Sequence, residues 1–259
     1  MQGEAEPGPM IPRRNLISEN AALLAPAHRR TCFFESDPSA SLASRVLAEG
    51  VGTFLLMTAI VGAGVISHRA HDSDALVALA VGATTIAGTL SSLIVALGAV
   101  SGGHFNPLIT GIQCLAHERR AGCTAAYVLA QLAGGLLGAL LAGTIFNAPL
   151  SPASAGEPST RILASEALAA AGLMIIVLGC AKSRRTETGP FAVGAWLAGA
   201  IVVMPSGSYA NPAVALALCI TVGPTHLNVV TAASYVAVEI LGALLAFMAI
   251  RAMYPRETS

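Results

Sequence analysis

The chain has 259 residues, 54% hydrophobic and only 11% charged, against roughly a quarter charged in an ordinary soluble domain. So apolar a composition cannot be folded round one core and still be covered with polar groups, which excludes an ordinary soluble enzyme. The formal net charge of zero gives no pull toward nucleic acid or an acidic partner.

Residues 1–40 are rich in Pro, Glu, Arg, Asn and Ser without a continuous apolar stretch. A secretory signal needs an apolar core of about 7–15 residues, and Arg13-Arg14 without one makes a poor twin-arginine signal. The segment is expected to be a disordered cytoplasmic tail. From there apolar runs follow at 42–67, 75–99, 121–146, 162–182, 190–206 and 227–251. Each meets or approaches the roughly 20 residues that a helix needs to cross a bilayer. The fifth, ending near Pro205, is the shortest. Small residues (Gly, Ala, Ser, Thr) interrupt the larger aliphatics, as close helix packing in lipid favours.

Lys and Arg set the orientation. With the N-terminus inside, the cytoplasmic segments hold Arg13, Arg14, Arg29, Arg30, Arg45, Arg119, Arg120, Lys182, Arg184, Arg185, Arg251 and Arg256. The other side keeps only Arg69 and Arg161, so both termini are expected to be cytoplasmic. The five cysteines (32, 114, 123, 180, 219) form no CxxC pair or Cys/His cluster and read as small hydrophobes, with no metal site.

The chain repeats itself. Ser101-Gly-Gly-His104-Phe-Asn106-Pro107-Leu108 returns as Ser206-Gly-Ser208-Tyr-Ala-Asn211-Pro212-Ala213. A span with one glutamate, Glu49 or Glu166, precedes each copy, and a Tyr-led span follows: Tyr127 to Gln131 and Gly134, then Tyr235 to Glu239 and Gly242. The repeats run about 41–148 and 160–254. Three spans per repeat, an odd number, invert the second copy relative to the first. The Asn106 loop thus enters from the cytoplasmic side and the Asn211 loop from the outer side.

Asn followed by Pro suits a helix start: Asn caps free N–H groups and Pro lacks the N–H that would go unpaired there. The apolar stretches 107–116 and 212–221 would each rise about 15 Å. End to end they match a hydrocarbon core of about 30 Å. Two re-entrant half-helices meeting near the midplane are the expected result. Irregular backbone at that depth is tolerated where it lines a water-filled path, so the pattern points to a pore.

Ala48-Glu49-Gly50-Val51-Gly52-Thr53 and the two Asn-Pro loops resemble the major intrinsic proteins, the aquaporins and aquaglyceroporins, over residues 42–254. The resemblance implies an all-α membrane fold of six transmembrane helices and two half-helices in a 3+3 inverted repeat, with a channel domain at 41–254. It also implies a homotetramer in membrane lipid, passive flow of water or small neutral solutes, no cofactor and no nucleic acid. The scarcity of lysine and abundance of alanine suggest a bacterial inner membrane.

By the resemblance, Asn106, Pro107, Leu108, Asn211, Pro212 and Ala213 form the pore centre, with Leu108 where the family usually has Ala. The outer constriction falls on Ile86, Ser208, Val214 and Gly199, with Ala200 or Ile201 as alternatives to Gly199. Val214 stands where the family usually has Arg. A missing guanidinium removes a donor and a positive charge. The constriction is therefore expected to be wide and almost uncharged, weakening discrimination for water and easing passage of glycerol, urea, ammonia or arsenite-like hydroxides. Glu49 and Glu166 match the family's buried glutamates that hold the pore loops, and His104 is expected to brace its loop. Glu239 matches no general family requirement; it is expected to be protonated or paired within the bundle or tetramer. Intramembrane glutamates and inverted repeats also build proton-coupled transporters, which is the alternative reading.

Overall fold

The computed structural model describes residues 39–70, 74–147, 157–221 and 225–254. Nearly all of the expected N-terminal tail, with Cys32 and five of the arginines used for orientation, lies outside these residues. The described chain is helical: α1 Leu42–Ala70, α2 Ala75–Ser101, α3 Pro107–Leu115, α4 Ala121–Ile145, α5 Thr160–Lys182, α6 Gly189–Val203, α7 Pro212–Ala217 and α8 Val229–Met253. Five of these are long and apolar enough to cross a membrane, and the shorter apolar α6 is the remaining span. Leu47, Leu76, Leu129, Phe191, Val203 and Val229 point their side chains outward, the reverse of a soluble core.

Local chemistry sets the boundaries. Asp74 caps α2, accepting from the N–H groups of Leu76 and Val77 at 3.1 Å, and Asn228 caps α8 by accepting from Thr231 N–H at 2.7 Å. Gly102, at φ 95°, closes α2 with a left-handed residue that a side chain would oppose. Both half-helices open with an Asn cap and Pro in the first turn, as the repeat predicts.

The second half-helix is shorter than expected. Its α-helical part stops at Ala217 and a 3₁₀ turn, Leu218–Ile220, takes over. The Leu218 carbonyl is claimed from outside, by Thr221 Oγ1 at 2.7 Å and by Leu227 N–H at 3.3 Å, so the α-helical ladder does not continue. The fifth span also ends early, at Val203 rather than 206.

Packing follows the repeat. α1 lies chiefly on α4, and α5 chiefly on α8. Close approach is set at matching glycines: a methyl on Gly134 would collide with the Gly50 carbonyl oxygen, and one on Gly242 with that of Ala167. Gly50 and Ala167 each follow a loop-bracing glutamate, so the same contact fixes both carboxyls beneath the loops. Trp196 packs between helices: its ring covers Gly172 and its Nε1–H donates to the Ala169 carbonyl at 3.2 Å.

Candidate functional site

Each half-helix is entered through a turn of left-handed residues, Gly103 and Phe105 in one loop and Ser208 and Ala210 in the other. That turn aims the carbonyls of Phe105 and Ala210 at the opposite loop. Asn106 Nδ2 donates to the Ala210 carbonyl and Asn211 Nδ2 to the Phe105 carbonyl, both at 2.9 Å. The two Oδ1 atoms accept the N–H groups of Leu108 and Ala213 at 2.9 and 3.1 Å. A primary amide carries two N–H donors, and one of each is spent on the clasp.

The buried carboxylates hold the loops from behind. Glu49 Oε1 accepts from Ser101 Oγ at 2.7 Å and His104 N–H at 3.0 Å; Oε2 accepts from Phe105 N–H and Gln131 Nε2, both at 2.7 Å. Glu166 accepts from the N–H groups of Tyr209 at 3.1 Å and Ala210 at 2.9 Å. His104 Nδ1 pairs with Thr110 Oγ1 at 2.8 Å, its ring edge-on to Tyr127, whose hydroxyl donates to the Ser101 carbonyl at 2.9 Å. Arg119 in turn stacks over Tyr127 at 4.1 Å. Sequence reading missed Ser101, Tyr127 and Gln131 as parts of this brace, although the repeated Tyr-led span was the available signal.

A cavity of about 80 Å³ runs past the clasp. Asn106 and Asn211 line it; Pro107, Leu108, Pro212 and Ala213 do not, and Leu108 is packed into the core instead. The rest of the wall is mostly aliphatic, including Leu90, Ile94, Leu173 and Val177, with Gly102, Gly103 and Gly207 supplying backbone and His104 and Phe105 adding two rings. A wider space of about 560 Å³ adjoins it, reaching Ser67, His68 and Thr225, and the two share Ile60, Ile86, Ile201, Gly207 and Tyr209.

Of the constriction residues, Ile86, Ser208 and Val214 line the cavity. Gly199 does not: it is exposed, and a methyl there would meet nothing within 4 Å. Of the three α6 residues that the sequence left open, Ile201 lines the cavity, as do Val193 and Leu197 of the same helix. Tyr209, absent from the sequence reading, lies on both spaces. None of Glu49, Glu166 and Glu239 lines the cavity, and among the described residues no arginine or lysine does.

An all-helical membrane bundle with paired re-entrant half-helices around an apolar conduit is the architecture of an aquaporin-like channel, not of an enzyme. The profile described as Major intrinsic protein matches residues 37–205. The chain is 35% identical over 211 residues to the aquaglyceroporin AqpS of Rhizobium meliloti (strain 1021), spanning 81% of this chain and 90% of that one. It thus belongs to the major intrinsic protein family. The aquaglyceroporin from Plasmodium falciparum, solved by X-ray, has the same fold: TM-score 0.65 at 18% identity, covering 84% of this chain and 97% of that one.

Proposed function

We propose that this channel passes small uncharged solutes of the glycerol and urea class in preference to selecting for water, through a constriction made by Ile86, Ile201, Ser208 and Val214. The observation that carries this is Val214 on the cavity wall, which holds no arginine or lysine among the described residues. Aliphatic walls accept the CH groups of a polyol. Ser208 Oγ, buried and without a hydrogen-bond partner, offers a hydroxyl to a solute oxygen. Discrimination against cations then rests on the half-helix N-termini and the remaining amide N–H of Asn106 and Asn211. Ammonia and arsenite-like hydroxides share the neutrality this wall requires.

The proton-coupled alternative is disfavoured because no glutamate reaches the solute path. A homotetramer with both termini cytoplasmic, in a bacterial inner membrane, belongs to the same reading; the charge bias and the family support it.

Stopped-flow flux in liposomes tests the assignment. V214R should cut glycerol flux by about tenfold or more, a barrier increase of about 1.4 kcal/mol, and water flux by less. Equal losses for both solutes would remove Val214 from the constriction. Saturable uptake driven by a proton gradient would replace the channel with a transporter.

A further inference from the structure

Each repeat braces its pore loop on a buried glutamate, but the side-chain donors to that glutamate differ between the two. In the first, every oxygen of the Glu49 carboxylate has two donors: Ser101 Oγ–H and His104 N–H on one, Phe105 N–H and Gln131 Nε2–H on the other. Such a carboxylate is satisfied as an anion. In the second, Glu166 accepts from Tyr209 N–H and Ala210 N–H. Ser206, the counterpart of Ser101, accepts from Ser208 N–H at 3.2 Å. The counterpart of Gln131 is Glu239, an acid where the pattern calls for a donor.

Glu239 is completely buried, and neither of its oxygens has a partner at full hydrogen-bond geometry. The polar groups bearing on it are the Glu166 carboxyl on α5 and the backbone N–H of Asn211. The other titratable groups facing the pair are Tyr209 in the loop and Tyr235 one turn earlier on α8. Among the described residues no cation bears on Glu239. Two carboxylates without a countercharge in a dry interior cannot both remain ionised, whereas a carboxylic acid and a carboxylate share a proton readily. A protonated carboxyl also supplies what Glu166 lacks, one O–H donor.

We propose that Glu166 and Glu239 hold one proton between them, and that this O–H···O bridge takes the place of the Gln131 amide N–H in bracing the loop that presents Asn211. The proton belongs to the pair rather than to either residue. Glu239 is a positioning residue: it touches no solute and acts through Glu166 and the Asn211 backbone. Its difference from Gln131 is that an amide does not titrate. As pH rises the four donors to Glu49 are therefore unchanged, while the Asn211 loop loses its third donor and gains a second negative charge when the proton leaves in alkali.

The test uses the full chain in liposomes. Infrared spectra of wild type should contain a protonated-carboxyl C=O stretch that is missing in E239Q, whose amide N–H replaces the proton as Gln131 does. Glycerol flux of wild type should fall severalfold and reversibly from neutral to alkaline pH. E239Q should keep neutral flux within about twofold and lose the alkaline decline. E239L, which offers no donor, should lower flux at every pH. Spectra of wild type and E239Q without a difference in that band, or an alkaline decline that persists in E239Q, would overturn the proposal. Should E239Q not fold, E166Q must also abolish the band, since an amide facing Glu239 needs no shared proton; a band that survives there refutes the pair. The spectrum reads the proton whatever solute passes, so failure of this bridge and failure of the glycerol assignment are separable.

Discussion

Replacing Glu49 by Gln changes the brace without changing its volume. The carboxylate takes two donors on each oxygen, Ser101 Oγ–H and His104 N–H on Oε1, Phe105 N–H and Gln131 Nε2–H on Oε2. An amide keeps one such oxygen and turns the other into a donor facing donors. A hydrogen bond to a charged group contributes about 1.5–3 kcal/mol, so losing two costs about 3–6 kcal/mol. Partial rescue is built in: Gln131 Oε1 has no partner, and an amide flip would turn it toward the new NH2. One bond recovered leaves a cost of about 1.5–3 kcal/mol, a large share of a net stability of about 5–15 kcal/mol. Purified E49Q should unfold at a lower temperature in detergent, with a reduced yield of folded protein. The double variant E49Q/Q131A, which removes the rescue, should be worse. Wild-type yield and midpoint for E49Q, accompanied by a new proton leak, would refute the bracing role.

G242A should lower the unfolding midpoint, since its methyl collides with the Ala167 carbonyl and parts α5 from α8. Overpacking costs about 1–3 kcal/mol, only partly offset by the roughly 1 kcal/mol that Ala gains over Gly in a helix; an unchanged or higher midpoint would contradict the contact. I201A should raise glycerol flux by shortening a wall of the constriction, while G199A should leave flux at the wild-type level. A response at 199 and none at 201, read by stopped-flow, would reverse the placement of α6.

The spans, the inverted repeat and the capped half-helices were legible because each leaves a local trace. Asp74, Asn106, Asn211 and Asn228 sit where a cap is needed, and apolar runs mark the membrane-crossing lengths. The α6 wall was legible only to within three residues, Gly199, Ala200 and Ile201. Counting from Asn211 assumes that both loops leave their helices at the same point, yet α2 runs to Ser101 whereas α6 stops at Val203. A helix rotates about 100° per residue, so a small slip exchanges Gly199 on the outside for Ile201 on the cavity. The fate of the asparagine amides was equally hidden. Their partners, the carbonyls of Ala210 and Phe105, lie in the other half of the chain and become acceptors only through left-handed turns at those two residues.

The reciprocal clasp also bears on how the two halves act together. Asn106 donates to a carbonyl of the Asn211 loop, and Asn211 to a carbonyl of the Asn106 loop. Neither amide can therefore move without shifting the acceptor that positions the other. Ala210, whose carbonyl receives Asn106, is also the residue whose N–H is held by Glu166. A peptide gripped on both sides links the Glu166 carboxyl to Asn106 through one residue. The Asn106 loop has the fuller brace, four donors on Glu49 against two backbone N–H groups on Glu166.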